Sequence, residues 1–265
     1  MNKRDLIARH AADQEERMVL ARVLDQMERT QQRSIPSATH FLSPAQRAAA
    51  EGLLAACGHP SHVFWGGYEG AERTICQFLP PWMEPEDAYS QADSPLSAVE
   101  AVYPKGAQLT HRDLLGGVLG IGLTREKVGD LLLLPDRAQI VILAEAAPIL
   151  LSQFDQAGRY RLKLRPISLD ELSPAPAQVK VISDTVATLR LDAVLSSAFS
   201  LSRSKAADLI AGGRVSVNHR ECCKGDRLVA EGDVLTCRGL GKCVLTQVGG
   251  QSRKGRTIIQ LERYL

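Results

Sequence analysis

The 265-residue sequence lacks the features of a membrane or secreted protein. A transmembrane helix needs roughly 18 or more consecutive apolar residues, and every apolar run in this sequence is much shorter. The first residues, Met1 to Asp5, lead into charged sequence without the apolar segment of a secretory signal. Both absences predict a cytoplasmic protein without a membrane partner.

The six cysteines lack the spacing of a disulfide framework or a zinc site. No Cys-x-x-Cys pair occurs, whereas structural zinc sites usually contain two such pairs. Cys57, His59 and His62 are three potential ligands close together, but Gly58 and Pro60 between them are typical of a helix end. We therefore expect no metal ion and no other cofactor.

The sequence also lacks a complete catalytic motif. Residues 111–114 read His-Arg-Asp-Leu, like the start of a kinase catalytic loop, but Val118 stands where the metal-binding asparagine should be and no Asp-Phe-Gly follows. The glycines over 116–122 begin inside a predicted helix and lack the Gly-Lys-Ser/Thr of a phosphate-binding loop. We interpret them as small residues that let this helix lie close to a sheet.

The net charge of +2 conceals an uneven distribution. From Lys180 to the end of the chain, 14 basic residues stand against 8 acidic ones, a net charge of +6, whereas residues 1–179 carry a net charge of −4. A basic module on a mildly acidic body is typical of a protein in which one module binds a polyanion. Charge alone leaves open a purely solubilising role for these residues.

Hydrophobic periodicity predicts helices and strands in the N-terminal part. One domain per roughly 150 residues gives about two domains for this length. Helical spacing extends over 5–33, and a second helix begins with the cap Ser43 and Pro44 and runs to about Cys57. Strands over 63–65 and 74–79 follow.

Residues 95–167 follow a β-α-β-β-α-β pattern. Strands are predicted over 96–103, 130–134, 139–143 and 160–167, and helices over 110–119 and 145–156. This order is that of the ferredoxin-like unit, which RNA-recognition-motif (RRM) domains share. No strand carries the aromatic pattern with which such domains stack bases. The pattern alone therefore does not support RNA binding by this unit. Prolines among small residues over 168–178 predict a linker.

The basic C-terminal third contains two further predicted helices and a strand. The first helix opens at 190–192, Arg-Leu-Asp, and the second begins after the cap Ser202. Two glycines at 212–213 end the second helix, since glycine is favoured just past a helix C-terminus. A strand over 214–217 follows.

Cations surround the N-terminus of that second helix. Arg203 and Lys205 lie in its first turn, where free backbone N–H groups and the helix dipole also favour anions. Arg214 and Arg220 flank the adjoining strand, and Lys224 lies outside the pattern. This arrangement predicts a phosphate-binding surface.

The same segment resembles the S4 domain, a small RNA-binding module. The matching residues lie at 190–192, 202–204, 209–218 and 232–233. The RNA-binding residues expected on this basis are Arg190, Ser202, Arg203, Ser204, Lys205, Arg214, Asn218 and Arg220.

Six further motifs extend over nearly the whole chain, at 41–44, 66–73, 111–116, 125–130, 241–242 and 254–256. Together they resemble YlmH-type proteins. The resemblance implies a bacterial RNA-binding protein that associates with the large ribosomal subunit and takes part in ribosome-associated quality control, the rescue of stalled nascent chains. Cys222 and Cys223 depart from the family pattern and take no role from it.

We therefore expect an α+β protein with three domains. These are an N-terminal α/β domain at 1–82, a central RRM-like domain at 83–167 and an S4-type αα-β domain at 180–265. A linker at 168–179 joins the last two. The leading hypothesis is a non-enzymatic, monomeric protein that binds structured ribosomal RNA or tRNA on the large subunit.

The alternative is an RNA-modifying enzyme, such as a pseudouridine synthase or a methyltransferase, that holds its substrate with the same module. Arg-Leu-Asp at 190–192 superficially fits a synthase motif, but it belongs to the first predicted helix of the RNA-binding module. A methyltransferase would need a glycine-rich cofactor loop after a strand, which the sequence does not show. A protein-binding adaptor, a third possibility, would leave the charge of +6 unexplained.

Overall fold

The computed structural model describes residues 2–89, 94–176 and 178–264. The chain forms two compact units, Met1–Ala175 and Pro176–Leu265. Each unit combines helices with antiparallel sheet, so the predicted α+β class is confirmed.

The first part of the first unit is a small sheet covered by helices. Its elements are α1 (Lys3–His10), α2 (Gln14–Arg33), β1 (Ser37–Ala38), α3 (Pro44–Ala56), β2 (His62–Trp65) and β3 (Ile75–Phe78), with strand order β1-β3-β2. The single helix expected over 5–33 is two helices, because the side chain of Asp13 accepts a hydrogen bond from the backbone N–H of Glu16 and starts α2 afresh. Leu20, Leu53 and Phe78 are fully buried among these elements.

The second part of the first unit has the predicted strand and helix order. Its elements are β4 (Leu96–Val102), α4 (His111–Gly120), β5 (Val128–Leu133), β6 (Arg137–Leu143), α5 (Ala147–Gln153), β7 (Gln156–Ala157), β8 (Tyr160–Arg161) and β9 (Lys163–Ile167). The antiparallel sheet has the order β5-β6-β4-β9, the arrangement of a ferredoxin-like unit. The last predicted strand, 160–167, is divided, because β8 pairs with β7 in a separate hairpin.

Both parts of the first unit share one hydrophobic core. Phe41 and Ile75, from the region expected to form a separate N-terminal domain, are buried in the same cluster as Val141 and Leu150 of the ferredoxin-like part. The structure therefore joins the predicted segments 1–82 and 83–167 into one compact unit.

The beginning of the predicted linker is packed onto the first unit. Leu169 is buried in the shared core, and Ser168 caps a short 3-10 turn over Leu169–Glu171. The backbone N–H of Ser173 donates to the side chain of Gln139. The connection between the two units is thus shorter than the expected 168–179, and the second unit's first strand already begins at Val179.

The second unit packs two helices against a six-stranded antiparallel sheet. Its elements are β10 (Val179–Val186), α6 (Leu191–Phe199), α7 (Arg203–Ala211), β11 (Val215–Val217), β12 (Arg220–Glu221), β13 (Val234–Cys237), β14 (Gly241–Gln251) and β15 (Thr257–Tyr264), in the strand order β10-β15-β14-β13-β11-β12. Leu195, Ile210, Leu245 and Ile259 are buried between the helices and the sheet. Each such side chain contributes roughly 2 kcal/mol of hydrophobic stabilisation. This core holds α6 and α7 in place.

Candidate nucleic-acid interface

The N-terminus of α7 presents the central group of predicted site residues. Ser202 has an extended backbone, and its Oγ accepts a hydrogen bond from the N–H of Lys205 at 3.2 Å, which starts the helix. Arg203, Ser204 and Lys205 are exposed, whereas Ala206 behind them is buried in the core. The first turn therefore turns its cations and its positive dipole end toward solvent. Lys205 forms no ion pair with any residue that the structure describes.

Asp192 holds two of the predicted arginines together. This carboxylate lies in the first turn of α6, and its side chain is only 11% exposed. Arg190 donates to Asp192 Oδ1 from Nε at 3.2 Å and to Oδ2 from Nη2 at 3.0 Å. Arg203 donates from Nη2 to both oxygens, at 3.0 and 3.1 Å. Asp192 thus organises the surface, although sequence reasoning did not select it as a site residue.

The two arginines keep donors for a ligand while they bind Asp192. A guanidinium carries five N–H donors, and the group on Arg203 uses only its Nη2 here. The side chain of Arg203 remains 60% exposed and that of Arg190 40% exposed. Both residues are therefore fixed in position and still able to donate to phosphate oxygens.

Asp192 is ionised over the whole physiological range. Burial by itself raises the pKa of this carboxyl, but hydrogen bonds and charges from Arg190 and Arg203 outweigh burial and place its pKa below the ordinary value of 3.8. The hydrogen bond to Asp192 in turn raises the pKa of Arg190. The cluster thus carries two positive charges and one negative charge at neutral pH.

Arg214 and Arg220 lie apart from the pair that Asp192 holds. Arg203 and Ala211 are the first and last residues of α7, about 12 Å apart along the helix axis, and Arg214 follows that far end. Arg214 Nη2 donates to the carbonyl of Arg238 at 2.9 Å, so Arg238 lies beside Arg214. Arg220 lies exposed on the edge strand β12. The predicted phosphate-binding surface thus extends beyond the N-terminus of α7.

Asn218 is tied into a turn between β11 and β12. Its side-chain amide donates to Asp233 at 2.7 Å, and its side-chain oxygen accepts from the N–H of Val234 at 2.9 Å. Its φ of 51° lies in the left-handed region, which asparagine tolerates better than most residues. Through these hydrogen bonds Asn218 fastens the turn to β13. Contact between Asn218 and RNA stays a prediction.

Lys224 lies closer to the cluster than its sequence position suggested. It precedes Gly225, whose carbonyl accepts a hydrogen bond from the N–H of Asp192 at 3.0 Å.

Lys242 lies on β14 one residue before Cys243, which faces the core together with Leu245. Adjacent strand residues point to opposite faces of a sheet, so Lys242 lies on the face turned away from the core. It is the better control for this site.

The sheet of the ferredoxin-like part offers no open face for bases along β6. An RRM domain stacks bases on aromatic side chains of its sheet. On β6 one face carries Gln139 and Val141, and the intervening residues Ile140 and Ile142 face the other way. A side chain at Gly67 would lie 3.1 Å from Val141 and 3.3 Å from Leu169, which shows that this loop and the 3-10 turn cover the first face. All four β6 residues are buried.

Residues 66–73, one of the YlmH-type motifs, contact the ferredoxin-like part through Asp130. Asp130 accepts hydrogen bonds from the Tyr68 hydroxyl at 2.8 Å and from the N–H groups of Glu72 at 2.7 Å and Arg73 at 3.1 Å. Burial and the neighbouring Arg125 lower the pKa of Arg73 to about 10, so it stays charged. The motif therefore serves the assembly of the first unit.

The described residues form neither a cluster of potential metal ligands nor a membrane-spanning helix. Within residues 2–89, 94–176 and 178–264, no group of three or more His, Cys, Asp or Glu side chains is arranged to hold a metal ion. Near Cys57, the ring of His62 contacts the Pro60 carbonyl and packs on Phe64. No helix among these residues is long and apolar enough to cross a membrane.

Comparisons with known proteins match segments in both units of the chain. Family models described as "YlmH, N-terminal", "Putative RNA-binding domain in YlmH" and "S4 domain" match residues 15–78, 90–171 and 189–235. "Ribosome-associated protein quality control protein P2" of Bacillus subtilis (strain 168) is 35% identical over 229 residues, which cover 85% of this chain and 86% of that protein. The solved structure "Cell division protein ylmH from Streptococcus pneumoniae" covers 61% of this chain and 96% of its own, with a TM-score of 0.51 and 21% identity. At that identity the similarity concerns the fold alone.

Proposed function

The chain belongs to the YlmH family, and we propose that it binds structured RNA on the ribosome through its S4 domain, without catalysing a reaction. The observation that carries this proposal is the capped N-terminus of α7, where exposed Lys205 stands beside the arginine pair that Asp192 holds. This surface lies inside the segment that matches the S4 domain.

Phosphate contacts supply the binding energy in this proposal. Each cation that neutralises a phosphate releases counterions, so affinity falls as salt rises and depends little on base sequence. The exposed donors of Lys205 and Arg203 and the α7 dipole act on the same backbone. Structured RNA is recognised mostly by shape and by its phosphates and 2′-hydroxyls, which suits a rigid basic surface without aromatic platforms.

The RNA we propose is ribosomal RNA or tRNA held by the large ribosomal subunit. The relative from Bacillus subtilis is named as a ribosome-associated quality control protein, and its similarity extends over both units of this chain. We propose the same setting here, with the protein acting as a monomer in the cytoplasm. The RNA-binding sites remain those predicted from the sequence, with Asp192 added as the residue that positions Arg190 and Arg203.

Sedimentation combined with crosslinking tests this function. Lysate containing the tagged protein is separated on a sucrose gradient, and RNA crosslinked to the protein is sequenced. We expect the protein in large-subunit fractions, with crosslinks to ribosomal RNA or tRNA. Protein that stays at the top of the gradient and yields no enriched RNA would contradict the proposal.

Mass spectrometry separates this function from that of an RNA-modifying enzyme. Bulk ribosomal RNA and tRNA are incubated with the pure protein, with S-adenosylmethionine, with ATP or with no cofactor. We expect no new modification in any sample. A new methyl group or pseudouridine would favour the modifying enzyme.

A further inference from the structure

A polar groove in the second unit connects the predicted site to a part of the chain outside the S4 match. The groove has a volume of about 440 Å³, and both Arg203 of α7 and Arg256 near β15 line it. Ser183, Thr185, Ser196 and Ser200 line it as well, and the Ser196 hydroxyl donates to the Leu201 carbonyl. We call this feature the hydroxyl groove.

We propose that the hydroxyl groove and the tip of the β14–β15 hairpin extend the RNA-binding surface and hold the sugar-phosphate backbone of the RNA that α7 binds. This inference rests on the proposed function. Hydroxyl and arginine side chains are common partners of phosphates and sugars in complexes with nucleic acids, and they carry no requirement for a particular base.

The carboxylate in the groove does not oppose this use. Asp184 lines the groove as well, but it accepts hydrogen bonds from the Ser197 hydroxyl at 2.5 Å and from the N–H of Thr185 at 2.7 Å. Its negative charge is therefore partly compensated by local donors, while Arg203 and Arg256 supply two positive charges to the same groove.

The hairpin tip is a hydrogen-bonded turn whose charged residues are all basic. Residues 251–261 contain Arg253, Lys254 and Arg256 and no acidic residue. In the turn, the N–H of Ser252 donates to the carbonyl of Arg256 at 2.7 Å, and the N–H of Gly255, whose φ is 69°, donates to the carbonyl of Ser252 at 2.9 Å. The turn therefore holds the exposed side chains of Arg253 and Lys254 at the outermost point of the hairpin.

Arg256 fastens this tip beside the groove. Its Nε donates to the Thr185 hydroxyl at 3.1 Å and its Nη2 to the Thr185 carbonyl at 2.5 Å. The hairpin also bends, because the pairing of β14 with β15 shifts register between Leu245 and Gln247 and again between Val248 and Gln251. Such bulges re-aim a strand.

Arg253 and Lys254 form no ion pair with any residue in the described ranges, so no protein partner there accounts for their charge.

The hairpin lies outside the general S4 module. The S4 match ends at residue 235, whereas β14 begins at Gly241. Only the first four residues of β14, 241–244, pair with β13, and the rest of β14 is held by β15. A surface built there enlarges the contact beyond what the module alone supplies.

Three lysine-to-glutamine variants of the full chain test the extension. Lys254→Gln removes a tip cation, Lys205→Gln removes a cation of α7, and Lys242→Gln removes the same charge on the face turned away from the core. Filter binding to purified 23S ribosomal RNA and to bulk tRNA is measured between 50 and 200 mM salt. Thermal unfolding checks that all three variants stay folded.

We expect Lys254→Gln and Lys205→Gln each to weaken binding about fivefold at 0.15 M salt and to reduce the salt slope by about 0.9, because each removes one phosphate contact. Lys242→Gln should change both quantities much less, since screening extends over only about 8 Å. If Lys254→Gln behaves like Lys242→Gln while Lys205→Gln loses affinity, the extension is wrong and the proposed function stands. If Lys205→Gln also behaves like Lys242→Gln, the α7 site itself is wrong.

Discussion

Replacing Asp192 by asparagine distinguishes an organised cation site from a surface that is merely basic. The substitution keeps the side chain's size but turns one of two acceptor oxygens into an N–H donor that faces arginine donors. Four hydrogen bonds from Arg190 and Arg203 depend on those two oxygens. Because the change removes a negative charge, a diffuse electrostatic field predicts tighter RNA binding. An organised site, in contrast, predicts weaker binding.

The size of the effect follows from the exposure of the partners. Both arginines are 40% exposed or more, so each ion pair contributes roughly 0.2–1 kcal/mol after solvent screening. An acidic residue in the first turn of a helix adds about 0.3–1 kcal/mol. We therefore expect the second unit to lose about 1–2 kcal/mol of unfolding free energy. Re-ordering two freed arginine side chains costs about 0.5–1.5 kcal/mol each on binding, which predicts roughly tenfold weaker RNA binding.

Denaturant unfolding and filter binding at pH 7 measure both quantities. The matched control is Asp208→Asn, which removes the same charge from an exposed position on α7. It should leave stability nearly unchanged and bind RNA as tightly as the unmodified protein or slightly more tightly. If Asp192→Asn bound RNA as tightly as Asp208→Asn, the positioning role of Asp192 would be refuted.

Three further outcomes are expected. The pKa of Asp192 lies below 3.8 in the folded protein, so its stabilising contribution is complete above about pH 5 and is lost as the pH falls through the folded pKa. The unfolding free energies of the unmodified protein and of Asp192→Asn should therefore converge under acid conditions. A difference that stays constant with pH would contradict the lowered pKa. Asp130→Asn replaces one of the two acceptor oxygens that receive hydrogen bonds from Tyr68 and residues 72–73. The unfolding free energy of the first unit, measured with denaturant, should fall by about 1–3 kcal/mol, while RNA affinity stays unchanged. A fragment of residues 176–265 should fold alone and bind RNA at low salt, because it has its own core; a folded fragment without RNA affinity would show that the first unit is needed.

Local signals in the sequence predicted three helix starts and the order of elements in the ferredoxin-like part. Ser43 and Ser202 each cap a helix as predicted, and Thr110 caps the helix that was predicted to begin there. A cap involves a backbone N–H only two or three residues away, so neighbouring sequence determines it. The β-α-β-β-α-β order likewise follows from periodicity within short windows.

Contacts between distant residues were beyond reach of the same reasoning. Arg203 meets Asp192 only because α6 and α7 pack together, and residue type alone gives no sign of that pairing. β10 pairs with β15, roughly eighty residues later, and the sequence pattern predicted neither the six-stranded sheet nor the groove beside it. The covering of the ferredoxin-like sheet by residues 66–73 is a packing result of the same kind.

The separation of Arg214 from Arg203 has a simple geometric cause. The nine-residue helix α7 begins at Arg203, and Arg214 follows its other end. Whether one RNA reaches both ends is a matter of its size, since both residues are exposed. The predicted list of binding residues thus describes a surface and not a single pocket.

Paired salt titrations of Lys205→Gln and Lys242→Gln test the central claim most directly, namely that the N-terminus of α7 contacts RNA phosphates. The two variants change net charge equally, and the unmodified protein is the reference. We predict that Lys205→Gln binds 23S ribosomal RNA or bulk tRNA about fivefold more weakly at 0.15 M salt, with a salt slope smaller by about 0.9, while Lys242→Gln stays close to the unmodified protein. Equal affinities and equal slopes in the two variants would contradict the claim.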